Sequence, residues 1–451
     1  MPAKRKDHPN IVFVLIDDLG WTDLGCQGSQ YYETPHIDTL ADQGMRFTDA
    51  YAACTVCSPT RASIMTGKYP ARLNLTDFIA GHGHPWAKFS VPDWTKYLSH
   101  DETTFASVLN DAGYNTFFTG KWHLGGPNYY PETHGFDVNI GGCHRGLPPT
   151  YFSPYGIETI EDGPKDEYLT DRLTDEAIDL IEDSADEPFL MYLAHYAVHT
   201  PLEAMGDVVE KYANKDKHGQ ISEVYAAMVE HTDDSIGRIM HKLEELEIAD
   251  NTIFVFFSDN GGLTRATNNA PLRHGKGSAY EGGHRVPLIV RWPGSVSPGS
   301  TCDTPVISTD FYPTLLEACG LPAMPEQHCD GKSLMPLLTE SGQLQRQSLF
   351  WHYPHYHFST PYAAVRKDDL KLIEYFESGR TELYDLDKNL SEQNNLAESE
   401  PEKAQELRAE LRNWQESVAA QMPRANPGYD PDRRYERPGG GELAECGRED
   451  E

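Results

Sequence analysis

Asp17 and Asp18, Lys121 and His123, His199, and Asp259 with Asn260 share one property: each follows closely on a short apolar run. Brought together, three carboxylates and an amide would repel and raise one another's pKa unless a cation sat among them. Their all-oxygen character selects a hard ion, Ca²⁺ ahead of Mg²⁺, over zinc. Lys121, His123 and His199 are the complementary half, able to hold an oxyanion and to move protons near neutral pH. A metal and cations around one pocket point to an anionic ester as substrate. Singly, each group is ordinary: Asp pairs cap helices, a Lys or His after a strand is usually solvated, and Asp-Asn-Gly-Gly is a turn. Their shared position at the ends of apolar runs is what gives them weight.

The elements that must position them are strands of a mainly parallel sheet, because ligands of open α/β sheets gather beyond the carboxyl ends of the strands. Runs at 10–16, 114–119, 188–194, 252–258 and 286–291 read as those strands. Between them, 169–183, 221–246 and 309–318 carry apolar residues at helical spacing, with Thr170 and Ser222 as expected N-caps of the first two. This alternation predicts an α/β fold with helices flanking the sheet. From about residue 348 the texture changes to short runs at 349–353, 362–366, 370–375 and 382–386, an antiparallel sheet, then one amphipathic helix over 402–420. The expected organisation is a catalytic α/β domain at 1–345, a smaller antiparallel subdomain with one helix at 346–423, and a Pro-, Gly- and charge-rich tail at 424–451.

Composition narrows the function classes. With 38 Lys plus Arg against 70 Asp plus Glu, the formal charge of −32 argues against nucleic acid as a partner. The apolar run 11–16 breaks at Asp17, too short for a bilayer or a signal segment, so neither a membrane span nor a cleavable leader is expected in the chain as given. Eight Cys in 451 residues are too sparse for a disulfide scaffold. Cys54 and Cys57 alone have redox-type spacing, which would leave the Asp and Lys residues unexplained.

Cys57-Ser58-Pro59-Thr60-Arg61, leading to Thr66-Gly67, resembles the signature of type I sulfatases, in which the Cys becomes formylglycine. Other stretches agree in order: Asn10 to Gly20 is similar to the family's first strand, and Thr119 to Gly125 to its second signature. His199-Thr200-Pro201 is similar to its histidine segment, Ser258 to Gly262 to its second metal half, and Arg273 to Gly283 to the segment with a second sulfate-binding lysine. The resemblance implies an alkaline-phosphatase-like fold and sulfate ester hydrolysis, with Asp17, Asp18, Asp259, Asn260 and modified Cys57 around Ca²⁺. It further implies attack on sulfur by a hydroxyl of the hydrated aldehyde, with Asp259 as base. His199 would be the general acid, His123 the base that frees sulfate, Lys121 and Lys276 the clamps on sulfate, and Arg61 the holder of the hydrated side chain. A thiol is a poor ligand for a hard cation, so this chemistry needs Cys57 converted, with a formylglycine-generating enzyme as a maturation partner. By the same resemblance the compartment is periplasmic or secreted if a leader preceded this chain; otherwise it is the cytosol.

The motifs do not choose the alcohol. Candidates for a sugar-contacting rim are His82, His84 and Trp86, then His144 and Arg145, and the cluster His352, Tyr353, His355, Tyr356 and His357. Rings with hydrogen-bonding edges suit a carbohydrate face. The expected substrate is a short sulfated saccharide of galactose or N-acetylgalactosamine type, because a long polyanion would approach against the net charge. The alternatives are a phosphate or phosphonate monoester hydrolase of the same superfamily and a catalytically silent sulfated-sugar binding protein.

Overall fold

The computed structural model describes residues 8–436. Its centre is the strand Asn10–Ile16, every residue of which is buried. Such a continuous apolar run, without polar alternation, is what a strand covered on both faces requires. It pairs in parallel with Phe189–Ala194 on one side and Thr252–Ser258 on the other. Phe189–Ala194 is followed outward by Asn115–Gly120 and Val138–Ile140, both parallel to it. Beyond Thr252–Ser258 lie Leu288–Arg291 and Met45–Phe47, joined by antiparallel pairing, and then Ser300–Cys302. The result is an eight-stranded, mostly parallel sheet.

Helices flank it. Leu169–Asp183 packs on Glu223–Glu245, while Cys57–Thr66, Phe105–Asp111 and Phe311–Ala318 pack on one another. Ser222 caps its helix, the Oγ accepting the Tyr225 N–H at 3.2 Å. Thr170 does not cap: Tyr168 holds that position without a side-chain bond, and Thr170 is buried inside the first turn. The strand expected from 286 begins at Leu288, and the three-residue strands Met45–Phe47, Val138–Ile140 and Ser300–Cys302 are too short to leave a periodic signal in sequence.

The C-terminal part is an antiparallel sheet, Ser348–Tyr353, Tyr362–Lys367, Leu370–Tyr375 and Thr381–Asp385, packed against the helix Pro401–Ser417. Its other face joins the first part through Trp351, Tyr353 and Tyr362 packed with Tyr51, Tyr69 and Tyr280. Buried ions reinforce that seam. Lys371 Nζ lies 2.9 Å from Glu281 and 3.0 Å from Glu392, while Arg285 and Arg366 each lie 2.7 Å from Asp49. Of the expected tail, Arg424–Ala425 pairs with Phe89–Ser90 and Arg433 stacks on Trp86 at 3.5 Å, so this stretch hugs the surface; 437–451 lie outside the described residues. No helix among the described residues is long and apolar enough to cross a membrane.

Candidate active site

Parallel pairing puts the carboxyl ends of four strands along one edge. Asp17 and Asp18 leave Ile16, Lys121 leaves Gly120, His199 lies five residues beyond Ala194, and Asp259 with Asn260 leaves Ser258. All except His199 are buried, and His199 is nearly so. Asp18 adopts a left-handed φ of 62°, which turns the chain away from the sheet and brings its N–H within 3.3 Å of Asp259 Oδ1. The Asn260 amide donates to Asp18 Oδ1 at 2.8 Å.

Cys57 enters from another element. It opens the helix Cys57–Thr66, with Pro59 in the first turn where a missing N–H costs nothing. Gly67 ends the helix at φ 66°, a left-handed cap where a Cβ would sit 2.5 Å from His328 Cβ. Ser58 Oγ donates to the His123 carbonyl at 2.9 Å and accepts the Ile79 N–H at 3.1 Å, tying the helix start to two loops around the site. Asp17, Asp18, Cys57 and His199 each offer a ligand atom within 4.8 Å of the others.

Each expected basic residue meets a carboxylate. Lys121 Nζ lies 2.5 Å from Asp17, and Lys276 Nζ lies 2.6 Å from Asp18 and 3.8 Å from Cys57 Sγ. Arg61 forks onto Asp259 with two nitrogens at 2.8 Å and donates to the Lys121 carbonyl at 2.7 Å. With Cys57 as the thiol, its contacts are to Asp259 and the Lys121 carbonyl, and the fork fixes the orientation of that carboxylate.

A divalent cation fits these residues. Asp17 Oδ1 and Asn260 Oδ1 are buried without hydrogen bonds, two oxygen lone pairs that have lost water and gained no protein donor. Burial, followed by the Asp259 charge, pushes Asp17 up to about 8. At Asp18 burial also pushes upward, but Lys276, His199 and Lys121 outweigh it and hold the group below the usual range. A cation among these oxygens would relieve the repulsion that raises Asp17.

The two histidines differ in their free nitrogen. His123 donates Nε2–H to the Ile79 carbonyl, which leaves the lone pair on Nδ1, buried and unpaired. Burial, then Lys121, holds its pKa well below the ordinary value, so the ring is neutral and can accept a proton. His199 donates Nδ1–H to Thr200 O at 2.8 Å and keeps Nε2 for the cavity side, 3.6 Å from Asp18. Burial, then Lys276, lowers it to about 3. A bound anion beside it favours the protonated, donating form. Cys54 and Cys57 are free thiols, and burial raises both, which disfavours a redox pair.

A cavity of about 310 Å³ opens above this group, reached by Asp18, Cys57, His123, His199 and Lys276. Phe78, Ile79, His82, Gly146, Leu147, Thr200, Leu263, Arg265, His357 and Phe358 complete the lining. Of the expected rim, His82 and His357 are present. His352, Tyr353 and His355 are not: they are buried, and bond respectively to Gln421 O at 2.9 Å, Asp77 at 2.7 Å and Thr76 at 2.8 Å. His352 faces the helix Pro401–Ser417, whose Gln415 lies 3.1 Å from its Nδ1, Tyr353 points from the other face of the strand into the seam, and His355 lies just beyond the strand; the polar atoms of all three are consumed internally. His84 packs on Tyr356, Trp86 lies under Arg433, and His144 and Arg145 meet Glu158 at 2.9 and 3.5 Å. Phe78, Leu147, Leu263, Arg265 and Phe358 carry no motif or periodicity; the nearest sequence signal is that Leu263 and Arg265 follow Asp259-Asn260-Gly261-Gly262 without interruption.

Comparison with known proteins decides the family: residues 9–321 match the Sulfatase family. The chain belongs to the sulfatases. Residues 274–421 further match the family described as N-sulphoglucosamine sulphohydrolase, C-terminal. A sulfatase of Formosa agariphila is 34% identical, covering 90% of this chain and 88% of that protein. Human N-acetylgalactosamine-6-sulfatase is 32% identical over 76% of this chain and 68% of its own. The solved structure of Ps i-CgsB superposes with a TM-score of 0.79 at 31% identity, covering 94% of each chain, and has also been solved in complex with k-i-k-neocarrahexaose. This sulfatase is thus a sulfuric ester hydrolase on a mixed α/β fold. Its family carries formylglycine and a divalent metal, and the buried oxygen set fits the latter.

Proposed function

We propose that this sulfatase releases sulfate from short O-sulfated saccharides of galactose or N-acetylgalactosamine type, with Cys57 converted to formylglycine and Ca²⁺ held by Asp17, Asp18, Asp259 and Asn260. The observation that carries the reading is the pair of orphaned oxygens on Asp17 and Asn260 beside a Cys at a helix start, under a cavity edged by Lys276 and His199. The saccharide class is supported by the lining, where Phe78, His82, His357 and Phe358 form one run of rings with neighbouring centroids 4.2–5.3 Å apart. Such a surface offers apolar faces and polar edges to a sugar. The named activity of human N-acetylgalactosamine-6-sulfatase and the oligosaccharide held by Ps i-CgsB point the same way.

A cation held by Asp17, Asp18, Asp259 and Asn260 would supply positive charge for the sulfate oxygens, and a modified Cys57 would supply paired hydroxyls for attack on sulfur and for its release. The chain's own residues do the rest. Lys276 and Lys121, 2.6 and 2.5 Å from Asp18 and Asp17, hold positive charge at the centre for the sulfate oxygens. His199 gives its Nε2 proton to the departing sugar oxygen, with Nδ1–H anchored on Thr200 to fix the ring. His123 takes a proton on Nδ1 as sulfate leaves, its Nε2 fixed on Ile79. Arg61 keeps Asp259 aimed. The helix start at Cys57 adds a partial positive charge for the anion.

Two measurements test this. Peptide mass spectrometry across residue 57, with and without a co-expressed formylglycine-generating enzyme, should show aldehyde only with it, and sulfate release should follow that fraction. Release from sulfated galactose and N-acetylgalactosamine should exceed release from an aryl sulfate of equal concentration; activity confined to the aryl ester refutes the saccharide assignment.

A further inference from the structure

Arg265 lines the cavity yet belongs to none of the groups described above. It is exposed on the turn 264–266, and among the described residues it makes no hydrogen bond or ion pair. Acids outnumber bases 70 to 38 on this molecule, and several of its exposed arginines meet carboxylates: Arg72 on Asp330, Arg238 on Asp175, Arg408 on Glu374. An arginine kept clear of acids, in a mainly acidic protein and at the mouth of a cavity for an anionic ester, has its five donors available to something that arrives from solution.

The platform beneath it is rigid. Ala266 N–H bonds to Leu263 O at 2.8 Å, and the next residue, Thr267, donates to buried Asp23 at 2.7 Å. Asp23 is fixed in turn by Tyr225 OH at 2.6 Å and Gly20 N–H at 2.9 Å, and Asn268 N–H meets Gln220 at 2.8 Å. The segment continues directly from Asp259 and Asn260, so the backbone that carries Arg265 is anchored beside the reacting centre and its side chain lines the cavity. The scissile sulfate is already served by Lys121, Lys276 and His199, so Arg265 is not needed for it.

We propose that Arg265 recognises a second anionic substituent, sulfate or carboxylate, on the sugar that carries the scissile sulfate or on its chain neighbour, so that the preferred substrates are saccharides with at least two acidic groups. This rests on the sulfatase reading and deepens it. A charge-assisted, two-point contact from Arg to such a group corresponds to a preference of about tenfold to a hundredfold, weakening as salt screens the exposed guanidinium.

The test is calorimetric binding to the metal-loaded Cys57→Ala protein, in which turnover is blocked. The probes are N-acetylgalactosamine 6-sulfate, N-acetylgalactosamine 4,6-disulfate, and a chondroitin 6-sulfate disaccharide bearing a uronate. At least one dianionic probe should bind about tenfold or more tighter than the monosulfate; Arg265→Ala should erase that preference, and Arg265→Lys should keep part of it. Which probe loses affinity distinguishes sulfate from carboxylate as the second group. Equal affinity for all three probes, or a preference that survives Arg265→Ala, overturns the proposal. Failure of the underlying sulfatase reading would appear elsewhere, as absence of sulfate release from an aryl sulfate by the unmutated, formylglycine-bearing enzyme.

Discussion

Two clusters of buried ions sit in this sulfatase, and each holds three acids and three bases. At the active edge these are Asp17, Asp18 and Asp259 with Lys121, Lys276 and Arg61; at the seam they are Asp49, Glu281 and Glu392 with Lys371, Arg285 and Arg366. Burial and charge balance therefore do not mark a catalytic site. The difference lies in what is left over. At the seam the side chains close on one another: Tyr51 donates to Glu281 at 2.7 Å, Glu392 accepts the Glu281 N–H at 2.7 Å, and Glu392 Oε1, the one carboxylate oxygen of these three acids without a hydrogen bond, still lies 3.0 Å from the Lys371 ammonium. At the active edge, Asp17 and Asn260 each keep an unbonded oxygen, His123 keeps an unbonded nitrogen, and a cavity stands above. Closed ionic clusters fix an interface, whereas incomplete ones leave free-energy gains for a ligand to collect.

The largest effect expected is on chemistry alone. Cys57→Ala should lower sulfate release by about 10⁴-fold or more while leaving thermal stability nearly unchanged. Cys57→Ser should release one leaving alcohol per site and then stall, since a sulfated serine has no second hydroxyl to expel sulfate; steady turnover near the unmutated rate would refute the paired-hydroxyl chemistry.

Chelation separates the clusters next. Removing divalent ions with EGTA should abolish activity and lower the melting temperature, with Ca²⁺ restoring both better than Mg²⁺, because an ion bound only by the folded state stabilises it. A melting temperature indifferent to the ion would show the active edge to be as closed as the seam.

Lys371→Met should do the reverse. It strands Glu281 and Glu392 without their shared cation and should destabilise the protein by about 3–5 kcal/mol in denaturant titration, while the activity of the folded fraction stays within about threefold. A loss confined to activity would make the seam part of the catalytic apparatus.

The smallest effect is on pH dependence. Burial, opposed by Lys371, raises Glu392 to about 7 from 4.5. Its proton is held more tightly in the folded state, so the stability linked to it is full below about pH 4.5 and is lost as pH rises through 7. Glu392→Gln should remove that loss, gaining about 1 kcal/mol or more on the unmutated protein between pH 5 and 7.5. Glu281 has the opposite sign: burial opposes ionisation, but Lys371, Arg285 and Arg366 pull it to about 2, so its contribution is present above pH 4.5 and fades on acidification. A flat difference between the Glu392→Gln and unmutated curves would show Glu392 ionised throughout.

The central strands were legible in sequence because a parallel strand buried on both faces must be apolar without interruption, as Ile11 to Ile16 is, and must stop where Asp17 begins. Once those ends were located, the polar residues beyond them followed, since parallel strands deliver their carboxyl ends to one edge. The short strands and the false cap at Thr170 were not legible, because three residues cannot display a period and a Thr reads alike at a helix start and one turn inside it.

By itself, then, the sequence determined the family, the apolar runs that form the central strands, and the carboxylates, lysines and histidines that the fold gathers at one edge of the sheet. Tertiary structure alone decided the cavity wall. His352, Tyr353 and His355 look no different in sequence from His82 and His357, yet the first spends its polar atoms on Gln415 and Gln421 beside the C-terminal helix, the next two spend theirs on Asp77 and Thr76, and the last two face the cavity. Only the packing of one sheet over the other decides which imidazole reaches the cavity, and only the fold leaves Arg265 without a carboxylate partner among the described residues.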